Sequence, residues 1–305
     1  MNRDKLPRQI SIVEVGPRDG LQNERIPIPT NVKLAFIAAL ADSGLTQIEA
    51  TSFVHPKAIP QLADAVDVAR ALQPIPDVTY SALVPNEKGL DRAIEAGIRR
   101  IAVFTAASET FARKNINMSI NESLVTFGPV IQRALAAGMT VRGYVSTCFV
   151  CPFEGEISAE AAVRVSSRLL ELGVDQVAIS DTIGAAAPTD VDRLLAALAP
   201  VIPVDRIALH FHDTYGTALA NVVAGLEAGI TTFDASAGGL GGCPYAPGAS
   251  GNLATEDLVY LLERMGISTG VSLPKLSAAT RPIAAALGRE LPGRNLRRLC
   301  NAATA

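Results

Sequence analysis

The sequence contains no tryptophan, only three histidines and only four cysteines among its 305 residues. Four cysteines in a chain of this length do not form a disulfide framework, which excludes the small disulfide-rich class of secreted domain. No stretch approaches the ~20 uninterrupted apolar residues of a membrane helix, so no membrane partner is expected. No low-complexity tract dominates the chain, and 49% of the residues are hydrophobic. The chain therefore has enough apolar residues for a large core, which excludes a disordered protein.

The chain also lacks a large excess of charge of either sign. The chain has 27 Lys and Arg against 30 Asp and Glu, a net charge of −3. A generic nucleic-acid-binding protein is usually basic, so no nucleic-acid partner is expected. Residues 1–9 show neither the apolar run of a signal peptide nor an Arg/Ser-rich transit segment, and residues 302–305 are not a peroxisomal address. These features predict a cytoplasmic location.

The chain alternates short β-branched runs with Ala/Leu-rich amphipathic runs. Many helical runs end at glycine just before a strand, which is the stop that a helix-to-strand loop requires. The predicted strands are Gln9–Val15, Gln47–Thr51, Thr79–Leu83, Arg100–Thr105, Thr140–Thr147, Gln176–Ser180, Arg206–His212 and Thr232–Ala237. The predicted helices are Asn31–Ser43, Ala58–Leu72, Glu87–Ala96, Ser123–Ala137, Ser158–Leu172, Thr189–Ala199, Ala218–Ala228 and Thr255–Met265.

Eight strands alternating with eight helices predict an α/β fold, a (β/α)8 TIM barrel. A doubly wound sheet is the alternative, but no Gly-x-Gly-x-x-Gly follows the first strand, so its dinucleotide-binding version loses support. No linker divides the chain, which predicts one catalytic domain over residues 1–305. Residues from about 268 to 305 fall outside the eight units and predict a C-terminal helical extension that wraps the barrel or serves an interface.

Two of the three histidines lie at one strand end. His210 and His212 are separated by one residue, and residues i and i+2 of a strand point to the same face, so both imidazoles can reach one point. Asp19, on the loop after the first strand, is the best carboxylate candidate, and Asn252 can add a carbonyl oxygen. Oxygen ligands shift the preference of such a site toward Mg²⁺ or Mn²⁺. The alternative is a pair of hydrogen-bonded core histidines.

Other polar residues follow the strands, at the end of a barrel where active sites lie. Arg18, beside Asp19, can neutralise a developing oxyanion, or it forms a surface salt bridge. Glu49 and Asp181 are candidates for bases or for residues that orient the metal ligands, and ion pairing at the barrel mouth is the alternative.

A glycine-rich segment at residues 238–252 carries Cys243 between Gly242 and Pro244. Such a segment can hinge and close over a site, and its thiol can then act as a proton donor or nucleophile. A structural turn with an incidental thiol is the alternative.

Taken together, the motifs resemble those of the 3-hydroxy-3-methylglutaryl-CoA lyase family, within the wider group of divalent-metal barrels that cleave or form carbon–carbon bonds. Related synthases that condense 2-keto acids are expected to have Glu in place of Leu21 and Asn-Asp after the second histidine, where this chain has Asp213 and Thr214. The matching segments are Val13–Glu24, Glu49–Phe53, Pro56–Lys57, Lys114–Asn117, Arg142–Ser146, Cys151–Gly155, Asp181–Gly184, His210–Gly216 and Gly239–Asn252, with Glu256.

The resemblance implies a role for each matching residue. The metal, Mg²⁺ or Mn²⁺, is held by Asp19, His210, His212 and Asn252. Arg18 stabilises the enolate oxygen, Cys243 lies on a loop over the site, and Glu49, Asp181 and Glu256 support it. Apart from the resemblance, the basic residues Arg113, Lys114 and Arg142, with Asn115, are candidates to meet the CoA part of the substrate, and exposed basic residues without a role are the alternative. No organic cofactor is expected. The expected oligomeric state is a homodimer.

The implied reaction cleaves 3-hydroxy-3-methylglutaryl-CoA to acetyl-CoA and acetoacetate. Asp181 or His212 is expected to remove the hydroxyl proton, and Cys243 to protonate the enolate carbon. His55, residues 146–150 and the segment from Ser268 depart from the family pattern. These departures leave open another thioester, such as citramalyl-CoA or methylmalyl-CoA. An aldol- or Claisen-type enzyme for 2-keto acids and a non-catalytic metal-binding barrel are the further alternatives.

Overall fold

The computed structural model describes residues 6–242 and 251–302. Eight parallel strands close into a barrel in which the first strand pairs with the last, so the predicted (β/α)8 architecture is confirmed and the doubly wound alternative is wrong. The barrel strands are β1 (Ser11–Glu14), β2 (Gln47–Ser52), β3 (Thr79–Leu83), β4 (Arg100–Ala106), β5 (Thr140–Ser146), β8 (Gln176–Asp181), β9 (Ile207–Phe211) and β10 (Thr232–Ala235).

Helices surround the barrel and bury their apolar faces against it. They are α1 (Thr30–Asp42), α2 (Ala65–Ala71), α3 (Glu87–Glu95), α4 (Glu109–Ile116), α5 (Ile120–Ala136), α6 (Ala159–Glu171), α7 (Pro188–Leu198), α8 (Ala218–Glu227), α9 (Thr255–Met265), α10 (Leu273–Leu287) and α11 (Arg294–Ala302). None of the described helices is both long enough and apolar enough to cross a membrane.

Three local predictions were incomplete. The helix expected over Ala58–Leu72 is a 3₁₀ turn, Pro60–Leu62, followed by α2. The short helix α4 was not predicted; the Ser108 side chain caps its first turn, and it ends at Asn117, whose backbone is left-handed (φ 55°). A two-stranded hairpin, β6 (Val150–Cys151) with β7 (Gly155–Glu156), lies between β5 and α6.

The predicted C-terminal helical extension is confirmed as α10 and α11. α10 packs along α1, and its Leu276 and Ile283 are completely buried. Arg289, just beyond α10, is ion-paired with Glu24 in the loop that follows β1. The extension therefore braces the part of the barrel that carries Arg18 and Asp19.

Candidate active site

The first site element is a single turn of π-helix, Gly16–Gly20, directly after β1. Its backbone folds tightly because Arg18 and Gly20 both donate their N–H groups to the carbonyl of Val15, at 3.2 and 3.1 Å. Turns of this type are frequent at functional sites. The turn places the neighbouring side chains of Arg18 and Asp19 at the carboxyl end of the barrel.

A three-residue cluster forms at this end of the barrel, as the sequence predicts. One ligand atom each from Asp19, His210 and His212 lies within 4.8 Å of the others, a spacing that suits a metal ion. The two imidazole rings have centroids 5.3 Å apart, which bears out the expectation that residues 210 and 212 share a face. The alternative of two histidines satisfied only by core hydrogen bonds does not explain the neighbouring carboxylate.

Asn252 joins the cluster from a distant part of the chain. Its backbone forms an isolated bridge with His212, and its amide Nδ2 donates to Asp19 Oδ2 at 2.8 Å and to the Leu240 carbonyl at 3.0 Å. A Cβ added at Gly241, whose φ is +113°, would lie 2.6 Å from that amide nitrogen. A side chain at position 241 is therefore excluded by both backbone conformation and close approach.

The residues present fit a divalent metal. His212 Nδ1 and Asn252 Oδ1 are buried and have no hydrogen-bond partner among the described residues, although buried polar atoms are nearly always satisfied. Burial lowers the pKa of His212 to about 4. Burial alone would raise the pKa of Asp19, but Arg18 and the two histidines outweigh it and lower that pKa to about 2. A neutral imidazole and an ionised carboxylate are the forms that bind metals.

Arg18 is held beside the cluster by two carboxylates. Its Nε donates to Glu49, and its Nη1 donates to Asp19 Oδ1 at 2.6 Å. Glu49, on β2, also accepts from the Tyr144 hydroxyl at 3.0 Å. Burial alone would lower the pKa of Arg18, but Glu49 and Asp19 raise it overall. The guanidinium is thus a fixed positive charge, and Glu49 supports it without lining the cavity.

Arg142 is buried, although it was expected to meet the CoA part of the substrate. Its side chain points into the barrel, where Nη2 and Nη1 donate to Asp234 at 2.6 and 3.2 Å. The Asp234 oxygen that accepts the longer of these bonds, Oδ2, also lies 3.0 Å from His210 Nδ1. The prediction that Arg142 meets the substrate's phosphates is wrong for this buried position. Asp234 was not assigned to the site; a carboxylate between the apolar residues Phe233 and Ala235 of a barrel strand was the signal that could have found it.

The Asp181 carboxylate accepts hydrogen bonds from the backbone of the loop that follows it. Its Oδ1 accepts from the Ala185 N–H at 3.0 Å and its Oδ2 from the Ala186 N–H at 2.9 Å. The carboxylate is completely buried, so desolvation raises its pKa to about 6, and it does not line the cavity. Asp181 therefore holds the loop after β8, and its role as the base remains a prediction.

A cavity of about 420 Å³ opens over the cluster. Asn115, at the end of α4, lines it, and the neighbouring Lys114 is exposed with its ammonium 4.1 Å from the centre of the Phe153 ring. His55 lies on another part of the wall. Cys243 falls outside the described residues, and Gly242, immediately before it, lines the cavity. The lining also includes Arg18, Asp19, Gln22, Asn23, Phe111, Tyr144, Ser146, Thr182, His210 and His212.

Two buried carboxylates anchor the start of the glycine-rich segment. Glu14 accepts from the Ala237 N–H at 2.9 Å, and Glu256 accepts from the Gly238 N–H at 2.7 Å. Both side chains are completely buried, and desolvation raises the pKa of each to about 7. Glu256 thus supports the site by fixing the backbone at the root of the segment.

The raised pKa of Glu256 predicts a pH-dependent stability. A carboxyl group with a folded pKa of about 7 and an unfolded pKa of 4.5 stabilises the protein fully below pH 4.5, and this contribution is lost as the pH rises through 7. The free energy of unfolding of Glu256→Gln, taken relative to that of the native protein, should therefore be higher at pH 8 than at pH 5, by on the order of 3 kcal/mol. Thr280 can accept from the new amide because its hydroxyl also donates to the Leu276 carbonyl.

Urea denaturation at both pH values measures this difference. Exposed Glu95→Gln is the matched control, expected to change stability equally at pH 5 and pH 8. An equal effect of Glu256→Gln at the two pH values would contradict the prediction.

Comparisons with known proteins agree with this geometry. A sequence model of the HMGL-like family matches residues 9–283. The hydroxymethylglutaryl-CoA lyase YngG of Bacillus subtilis is 54% identical over 290 residues, covering 95% of this chain and 97% of that protein. A crystal structure of the Bacillus subtilis HMG-CoA lyase superposes with a TM-score of 0.95 at 53% identity, covering 97% of this chain and 99% of that one.

A third relative was solved with ligands. The structure of an HMG-CoA lyase from Acinetobacter baumannii in complex with coenzyme A and 3-methylmalate has a TM-score of 0.91 at 40% identity, covering 95% of each chain. The resemblance inferred from the motifs is confirmed over nearly the whole chain, beyond the expected limit near residue 265. The chain belongs to the HMGL-like family of carbon–carbon lyases.

Proposed function

We propose that this protein cleaves 3-hydroxy-3-methylglutaryl-CoA to acetyl-CoA and acetoacetate. The observation that carries the proposal is the placement of the Arg18 guanidinium 2.6 Å from Asp19, within a cavity that also holds His210 and His212. A cleavage that leaves an enolate needs a fixed positive charge near the enolate oxygen and a metal-binding group near the alcohol. Relatives about 50% identical carry the name of this activity.

We propose Asp19, His210, His212 and Asn252 as the ligands of a divalent metal, Mg²⁺ or Mn²⁺. Asn252 contributes its free Oδ1, since its Nδ2 is already used on Asp19. A bound ion of this kind lowers the pKa of a hydroxyl group and polarises oxygen atoms. Arg18 then faces the thioester end of the substrate, where it stabilises the enolate oxygen.

The two roles that the sequence assigns to His212 compete. A neutral imidazole has one nitrogen lone pair, so it cannot bind a metal and accept a proton at the same time. The position of His212 within 4.8 Å of the Asp19 and His210 ligand atoms favours the role of ligand. We therefore assign His212 to metal binding and not to the removal of the hydroxyl proton.

We propose that Cys243 protonates the enolate carbon to give acetyl-CoA. Cys243→Ala should then reduce kcat by about 10²-fold, within the range of a lost general acid, and leave the Mn²⁺ affinity unchanged. The measurement is steady-state acetyl-CoA release together with Mn²⁺ titration of the variant. Cys300→Ala is the matched control because Cys300 lies on α11, away from the cavity lining. Unchanged turnover in Cys243→Ala would remove this thiol from the chemistry.

The substrate is tested with a panel of thioesters. We expect acetyl-CoA release from 3-hydroxy-3-methylglutaryl-CoA with Mg²⁺ or Mn²⁺, with acetoacetate as the second product, and none with chelator present. Citramalyl-CoA and methylmalyl-CoA form the rest of the panel, because a relative was solved with coenzyme A and 3-methylmalate. Release from one of these alone would retain the mechanism and change the substrate. No release from any member would overturn the proposed lyase activity.

We infer that the CoA part of the substrate passes Asn115 and Lys114, which lie at the end of α4 beside the cavity. An exposed lysine there can meet a phosphate group. The homodimer and the cytoplasmic location remain predictions, and light scattering tests the first of them.

A further inference from the structure

Asp234 lies inside the barrel, between an arginine and a histidine that is proposed as a metal ligand. It lies on β10, in register with His210 of β9, and its side chain is completely buried. One neighbour is Arg142 from β5, and the other is the His210 ring. Burying a carboxylate costs several kcal/mol unless it is paired and hydrogen-bonded. Arg142 and His210 are the two partners that offset this cost for Asp234.

The contacts of Asp234 divide between its two oxygens. Oδ1 accepts from Arg142 Nη2 at 2.6 Å, and Oδ2 accepts from Arg142 Nη1 at 3.2 Å. Oδ2 also lies 3.0 Å from His210 Nδ1. A carboxylate can only accept, so a hydrogen bond at this distance requires the proton on Nδ1. The lone pair of a neutral His210 is then left on Nε2.

We propose that Asp234, clamped by Arg142, is a positioning residue that fixes the tautomer of His210 and so presents Nε2 for metal binding. The inference rests on the metal site proposed above, and it assigns a role to a residue outside the ligand set. Arg142 acts through Asp234: its planar fork fixes the carboxylate and prevents it from rotating away from the imidazole. Partners of this kind orient metal-binding histidines in other proteins.

The substitution Asp234→Asn tests the tautomer directly. The guanidinium of Arg142 can only donate, so it will hold the amide oxygen and turn the amide NH₂ toward His210. Nδ1 then becomes the acceptor and the proton moves to Nε2, which removes the lone pair that a metal needs. The same logic underlies the loss of the correct histidine tautomer when a catalytic aspartate becomes asparagine in a serine protease.

The first measurement is NMR of metal-free protein with ¹⁵N-labelled histidine. Only three histidines are present, so His55→Gln and His212→Gln assign the spectrum. We expect His210 of the native protein as the Nδ1–H tautomer and His210 of Asp234→Asn as the Nε2–H tautomer. A native His210 in the Nε2–H form would overturn the proposal, and this result does not depend on how any Asp234 variant folds.

The second measurement is the Mn²⁺ affinity. We expect Asp234→Asn to weaken it by about 10- to 100-fold. Asp175→Asn is the matched control: it makes the same change in another carboxylate paired with an arginine, Arg100 at 2.8 Å, outside the cavity lining, and should leave the affinity within about twofold. Native-like affinity in folded Asp234→Asn would overturn the proposal. A native protein that binds no Mn²⁺ would overturn the metal site itself, whereas a wrong tautomer would overturn only the role of Asp234.

Discussion

Arg18→Gln is expected to reduce kcat by about 10³-fold. The guanidinium is the fixed positive charge of the cavity, and removing one group that stabilises a developing oxyanion costs about 10²- to 10³-fold in kcat. Glutamine retains a hydrogen-bond donor but no charge. The measurement is acetyl-CoA release at saturating substrate and metal.

The buried ion pair with Glu49 requires a control for stability. Removing Arg18 alone leaves the Glu49 carboxylate buried without a counter-charge, which costs about 3–5 kcal/mol. In the double variant Arg18→Gln/Glu49→Gln both charges are absent, so it should unfold at a higher temperature than the single variant. Its kcat should stay about 10³-fold below that of the native protein. Recovery of activity together with stability would show that Arg18 acts only through folding.

Removing the divalent metal is expected to reduce acetyl-CoA release by at least about 10³-fold. A bound metal contributes several kcal/mol of stabilisation to charge that develops on substrate oxygen, and the described part of the chain shows no second cluster of ligands that could replace it. Dialysis against a chelator, followed by titration with Mg²⁺ or Mn²⁺, measures both the loss and its recovery.

The three histidines provide a matched comparison for this metal effect. His212→Gln should weaken Mn²⁺ binding strongly because it removes one member of the three-residue cluster. His55→Gln is the control: this exposed histidine lines the cavity but lies outside the cluster, so the Mn²⁺ affinity should stay within about twofold. Equal affinities in the two variants would exclude the proposed ligand set.

Several features could be predicted because they depend on local pattern. The alternation of strand and helix is set by side-chain periodicity and by glycine stops, and the structure has all eight predicted barrel strands. The shared face of His210 and His212 follows from the two-residue period of a strand. Asp19 was placed correctly because the first and last strands of a closed barrel are neighbours.

Other features required the tertiary structure. The Asn252 amide donates to the Asp19 carboxylate across 233 positions of sequence. The backbone of Asn252 is held there by a bridge to His212, which no local pattern encodes. Arg142 had been expected to meet the CoA part of the substrate, but its side chain is buried in the barrel and paired with Asp234.

For this protein, the sequence alone determined the barrel, the metal-binding residue types and the family. The tertiary structure decided which polar groups share partners. It directed the Asp181 carboxylate to its own loop and paired Glu49 with Arg18. The physical reason is that periodicity reports which face of an element a side chain occupies. Which groups meet across a barrel depends instead on the register and closure of strands far apart in the chain.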